Sequence, residues 1–187
     1  MQFADLAVEN LLAFLSEVDP DYHDEAAALL EGNLTEKREQ LEALVAELED
    51  RQEAHAQRSS AEEAALALQD ARVIAQYAGL ERGGTAWRDL MMARNVEWLH
   101  EHHGGAKMVL WAHNGHVARQ EGWMGRHLAE SFGEAYLPLA FSFHQGEYLA
   151  VDPREGLGVH PANPALEGSV DDFLSRVGED AYYLDLR

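Results

Sequence analysis

The sequence predicts an α/β chain, a helical hairpin or lid segment followed by an α/β part with a small mixed sheet. Three observations predict it. Leucines recur at helical spacing up to about residue 80. Beyond residue 105 the apolar residues come in short runs cut by glycine, which is the pattern of strands and turns. The 187 residues are 47% hydrophobic, enough for one domain with a core. On this reading residues 1–80 are the helical segment and residues 81–187 the α/β segment of a single domain.

The elements follow in order. Residues 3–17 carry Phe3, Leu6, Val8, Leu11, Leu12 and Leu15 at helical spacing. DPDYHDEAAALLEG reads as a turn and a short helix closed by Gly32. A helix from about Leu34 to past Glu53 places Leu34, Leu41, Leu44 and Leu48 on one stripe. Ser59 and Ser60 stand before Glu62 and Glu63 at capping-box spacing and open a helix through Leu66, Val73 and Tyr77 that ends at Gly79. These two long helices form an antiparallel hairpin. ERGGT reads as a loop, and Ala86 to about His103 as a helix ended by Gly104 and Gly105. Residues 107–112 read as a buried strand, and GWMGRHLAESFG as a helix closed by Gly133. AYLPLAFSF and EYLAVD are strand-like and joined by HQG as a hairpin. Asp152 to Gly168 is a Pro/Gly-rich loop. Ser169 caps VDDFLSRVG through its spacing to Asp172, and AYYLDL is a last strand.

Charge excludes some classes. Asp+Glu number 34 against 14 Lys+Arg, for a formal net charge of −20. Such a surface repels phosphate backbones, so no nucleic-acid partner is expected. Lys37 and Lys107 are the two lysines. High acid with scarce lysine fits a high-salt cytoplasm, and equally an ordinary acidic protein. With no cysteine, disulfides and thiolate metal sites are excluded. No apolar run is long enough to span a bilayer, so no membrane partner is expected. The first residues, MQFADLAVENLLAFLSEVDP, carry acids where a secretory signal carries a basic region, so a cytoplasmic location is expected.

The candidate site lies in two stretches. In WRDLMMARNVEWL, Arg88 and Asn95 are seven residues apart, close to two helical turns, and so share a face with Met91 and Met92 between them. A guanidinium and an amide on an apolar face need partners, either a bound ligand or a structural acid such as Asp89. In KMVLWAHNGHVARQ an apolar run ends in His113, Asn114 and His116. Ligands bind beyond the carboxyl ends of strands in open α/β sheets. These side chains could equally satisfy one another. The two histidines lack a third ligand with spacing logic, although His102, His103 and His144 are available, so no metal is expected. A histidine at a strand end serves better as a base or a transition-state donor.

Together these stretches resemble the paired signature of the erythromycin esterase family, R-D-x-x-M-A-x-N-x-x-W on a helix and W-A-H-N-x-H after a strand. Arg88, Asp89, Met92, Ala93, Asn95, Trp98, Trp111, Ala112, His113, Asn114 and His116 fall on it. MGRHLAESFGEAYLPLAFSF and LLAFLSEVDP also resemble segments of the family. The resemblance implies a hydrolase that opens a macrolactone-type ester with water, as macrolide antibiotic resistance enzymes do, without metal or cofactor. It implies catalytic roles for His113, Arg88 and His116. Asn95, Asn114, Asp89 and Met92 would line or orient the site, and the residue 34–78 hairpin would wall a large cleft.

The resemblance also implies an incomplete chain. Family members carry a longer N-terminal part with a G-E-x-x-H-G motif whose histidine activates water. His23 in DYHDE and His55 in EAHAQ lack the flanking glycines, and Met1-Gln2 resembles an internal D-M-Q stretch. On this expectation the chain alone is inactive, and its partners are a small-molecule ester and either a separate N-terminal half or a second copy. The rival readings are a non-catalytic remnant, a histidine metal module and a helical interaction protein.

Overall fold

Small side chains set the packing of the helical half. The computed structural model describes residues 3–152, 154–179 and 181–184, with nothing beyond backbone for Phe3, Glu81 and Arg82. Helices α1 (Phe3–Val18), α2 (Pro20–Leu30), α3 (Arg38–Arg58) and α4 (Ala61–Ala78) enclose one core. Helix α4 turns Ala64, Ala67, Leu68, Ala71, Ile74 and Ala78 inward, and this alanine-rich face packs against both α1 and α3. Leu66 on the same helix faces out, and the short alanines allow a close helix approach where a leucine row would hold the helices apart. Leu11, Leu15, Leu41, Leu44 and Leu48 are buried as their spacing predicts, whereas Leu6 faces out.

Local chemistry fixes the ends. Ser60 Oγ accepts from the Glu63 backbone N–H at 3.1 Å and donates to the Glu63 carboxylate at 2.9 Å, stapling the start of α4. Between α1 and α2, Asp19 is buried and accepts from His55 Nε2 at 3.0 Å and Arg51 Nη1 at 3.0 Å. The His55 hydrogen bond, with Arg51 beside it, holds the Asp19 carboxyl below its ordinary range.

Helix α5 (Leu80–His102) begins earlier than expected, since ERGGT is helical apart from a break at Gly84, whose φ of 58° and ψ of −149° suit glycine. A one-turn helix α6 (Asn114–Val117) and α7 (Met124–Phe132) follow. They pack with α5 around Ala93, Val96, Val117, Met124 and Leu128. Gly125 makes the α6–α7 contact close, because a Cβ there would sit 2.3 Å from the Val117 carbonyl oxygen.

The sheet differs from expectation. Residues 107–112 form neither helix nor strand, and among the described residues no strand pairs with them. Met108, Leu110 and Ala112 pack on the second core while Val109 is 96% exposed and Trp111 86%. The run is therefore half-buried with period two, not the buried strand its continuous apolarity predicts. AYLPLAFSF is likewise not a strand, with Leu137, Leu139, Phe141 and Phe143 exposed. Among the described residues the two strands are β1 (Gly146–Asp152) and β2 (Gly156–Ala162), an antiparallel pair in which Asp152 faces Gly156 and Gly146 faces Ala162. Strand β2 lies inside the segment expected to be a Pro/Gly-rich loop. The hairpin turn follows Asp152, whose Oδ1 accepts from the backbone N–H groups of Arg154 at 2.7 Å and Glu155 at 3.0 Å. Helix α8 (Val170–Ser175) is capped by Ser169, which accepts from Asp172 N–H at 3.2 Å. Residues 181–184 are not a strand, and the remainder of AYYLDL lies outside the described residues, as do Met1 and Gln2. The chain is α/β and mostly helical, and it forms two compact units, Met1–Pro138 and Leu139–Arg187.

Candidate active site

The chemistry gathers where α5, α6 and α7 meet. Asp89, on α5, is 0% exposed. Its Oδ1 is 2.7 Å from His116 Nδ1 and 2.9 Å from the Met124 backbone nitrogen, so one carboxylate oxygen ties α6 to the start of α7. Its Oδ2 is buried without a hydrogen-bond partner and stands 3.9 Å from Arg88 Nη2. Arg88 Nη2 lies 3.0 Å from His116 Nε2. The Trp123 ring meets the His116 ring edge-on at 5.5 Å between centroids. Below, the Tyr136 hydroxyl donates to the Val117 carbonyl at 2.8 Å, and burial pushes that phenol above its ordinary range.

These contacts assign protons. A carboxylate only accepts, so His116 Nδ1 carries a hydrogen. A guanidinium only donates, so His116 Nε2 presents its lone pair. His116 is a neutral, Nδ1-protonated imidazole held at both ends. His113 is the opposite. It caps α6 by accepting the Gly115 backbone N–H on Nδ1 at 3.1 Å, which in the neutral ring puts the hydrogen on Nε2. That side chain is exposed, so an N–H donor faces outward.

Arg88, Asp89 and His116 are thus in contact, and His113 and Asn114 start the same helical turn, exposed to solvent. Asn95 turns elsewhere. Its Oδ1 accepts from Gln69 at 2.9 Å and Gln76 at 3.0 Å, and its amide donates to Gln76 Oε1 at 2.9 Å, which binds α5 to α4. That amide triad lines a groove of about 410 Å³ between α3, α4 and α5, with Trp87, Met91 and Trp98 beside it. Met92 packs against the second core. His102 stacks on Trp98 at 4.6 Å and meets His103 edge-on, and His144 belongs to the unit of residues 139–187. Among the described residues no three His, Asp or Glu side chains group as a metal site. The hydrogen-bonded partner of Asp89 is His116, with Arg88 at 3.9 Å, and the sequence signal for that partner is the polar HxxH after the apolar run. No described helix is long and apolar enough to cross a membrane.

Comparison with known proteins agrees with this architecture. A crystal structure of a protein from Bacillus cereus matches with a TM-score of 0.79 at 21% identity, over 94% of this chain and 50% of its own. The likeness shows the fold, and the chain spans about half the length of that protein, 50%. No curated protein matches the chain. The family model described as erythromycin esterase matches residues 1–187, and the chain therefore belongs to the erythromycin esterase family.

Proposed function

We propose that the chain supplies the charge-stabilising half of an ester hydrolase site. The carrying observation is the pair of opposed tautomers: His116 has its lone pair engaged by Arg88, and His113 presents N–H outward. Neither offers a free base. Both Arg88 and His113 offer donors, which is what a developing oxyanion needs. In the reaction, a water oxygen attacks the ester carbonyl carbon and a base takes the water proton. The carbonyl oxygen gains charge against Arg88 and the His113 N–H. The carbon–oxygen bond to the alcohol then breaks, and the proton passes to the leaving alkoxide, giving acid and alcohol. The base comes from a segment outside residues 1–187, in the same polypeptide or a partner. Asn114 borders the donors, and Asp89 and His116 orient them. The substrate class of this reading is a large, partly apolar ester of the macrolactone type. No cofactor, metal, nucleic acid or membrane enters this reading, and the setting is cytoplasmic.

The test follows erythromycin and simpler carboxylic esters by mass for the gain of one water. The isolated chain is expected to show background hydrolysis, with turnover restored by adding, fused or in trans, the half of the fold it lacks. In that complete enzyme Arg88→Ala and His113→Ala each lower kcat by about 10²–10³ with little change in KM. Folded variants that keep full kcat would return the site to a non-catalytic remnant. Full turnover by the isolated chain would place the base within residues 1–187.

A further inference from the structure

We infer that Asp89 and His116 form a positioning pair that holds Arg88 through a neutral imidazole. An arginine beside a buried aspartate would ordinarily fork directly onto the carboxylate. Here the guanidinium does not. Arg88 Nη2 is 3.9 Å from Asp89 Oδ2 but 3.0 Å from His116 Nε2. The carboxylate instead spends Oδ1 on two neutral N–H donors, His116 Nδ1 and the Met124 backbone.

The imidazole is therefore a relay with a fixed sense. Asp89 demands a hydrogen on Nδ1, and this forces the lone pair onto Nε2, the only form that can receive an arginine N–H. One of the five guanidinium donors is anchored in this way. Arg88 keeps its side chain 48% exposed with its charge bonded to a neutral group. Asp89 touches no reacting atom on this arrangement. It sets the tautomer, the tautomer sets the arginine, and Trp123 limits the ring's rotation from the side. The catalytic meaning of the pair rests on the hydrolase reading above, whereas its proton placement does not.

Histidine-selective nitrogen NMR on the chain at pH 7.5 reads the placement directly, with signals assigned by His116→Gln and His113→Gln. His116 should show a protonated Nδ1 and a lone-pair Nε2, and His113 the reverse. A hydrogen on His116 Nε2, alone or with one on Nδ1, overturns the inference. The relay is read separately from the mobility of the Arg88 Nε–H. It should be ordered in the wild type and in His116→Gln, whose amide can donate to Asp89 and accept from Arg88. It should become mobile in His116→Leu, which can do neither. Equal order in His116→Leu, or a mobile Arg88 in the wild type, overturns the inference. No ester is present in these measurements, so their failure is distinct from failure of the proposed reaction. In the complete enzyme, His116→Gln should keep kcat within about tenfold, while His116→Leu should fall as far as Arg88→Ala, about 10²–10³, with KM unchanged.

Discussion

Gly125→Ala adds one methyl group whose nearest neighbours are backbone atoms, yet it should disable the site. The new Cβ would lie 2.3 Å from the Val117 carbonyl oxygen, 2.5 Å from its carbon and 2.6 Å from the Ala118 carbonyl oxygen. All three are backbone atoms, so no side chain can swing aside. Helices α6 and α7 must part by about 1 Å to restore ordinary carbon–oxygen contact. Overpacking of this kind costs about 1–3 kcal/mol. For a chain of this size each kcal/mol lowers the melting temperature by about 2–4 °C. The displacement also separates His116, on α6, from an Asp89 oxygen that is simultaneously bound to Met124 at the head of α7. That oxygen cannot follow both helices. A misplacement of about 1 Å costs roughly 10²-fold in rate, so in a complete enzyme kcat should fall far more than the stability loss alone requires. The assay pairs a thermal melt with the His116 nitrogen spectrum on one sample. A variant that melts like wild type and keeps the Nδ1-protonated signal would refute the account of how α6 and α7 meet.

Three further outcomes follow. Burial raises the Asp70 carboxyl to about 6, with an Asn10 hydrogen bond pulling the other way. The folded state thus holds that proton more tightly than the unfolded chain, so Asp70 costs stability increasingly as pH rises from about 4 to above 6. Asp70→Asn should gain about 1–2 kcal/mol in urea unfolding at pH 8, half the full linkage for partial solvent access, and about nothing at pH 4. A gain equal at both pH values would deny the burial effect. The net charge of −20 repels itself at low ionic strength, and salt screens it within about 10 Å at 0.1 M; the melting temperature should therefore climb with KCl, and a flat or falling curve would count against self-repulsion. Val109, Trp111, Leu149, Val151, Leu157 and Val159 are all exposed. The chain should bind a hydrophobic dye and sediment heavier than a monomer; a monomer that leaves the dye dark would show these surfaces to be harmless.

The helices were legible because their signals are local. Ser60 with Glu63, Gly32, Gly79 and Gly133 mark ends that need no distant partner. The inner face of α4 was less legible, since alanine gives no hydropathy contrast and its burial depends on two neighbours at once. Strands are worse, because a strand is defined by what pairs with it. AYLPLAFSF alternates convincingly and has no ladder, whereas GLGVHPA, broken by Gly158 and Pro161, pairs along its whole length with β1. Turn chemistry at Asp152 is the local signal of the hairpin, because its carboxylate opens a tight turn and not a long loop.

The site shows the same division. Helical arithmetic places Arg88 and Asn95 on one face, and the backbone obeys it, but long side chains are free to diverge beyond Cβ. Arg88 reaches across to His116 on α6, while Asn95 is claimed by Gln69 and Gln76 on α4. Spacing gives the direction in which a side chain leaves the helix; hydrogen-bond demand decides where it ends. The same demand separates two histidines that look equivalent in WAHNGH. One sits at a helix start, where a backbone N–H claims its Nδ1 as acceptor. The other sits a turn later, where a buried carboxylate claims its Nδ1 as donor. Two neighbouring imidazoles are thereby locked in opposite tautomers by groups of opposite polarity, and both arrangements turn lone pairs inward and leave N–H donors, on Arg88 and His113, toward the exposed side. A surface so arranged offers hydrogen-bond donors and no free imidazole lone pair, which supports the proposal that it is half of a hydrolytic site whose base lies on another segment.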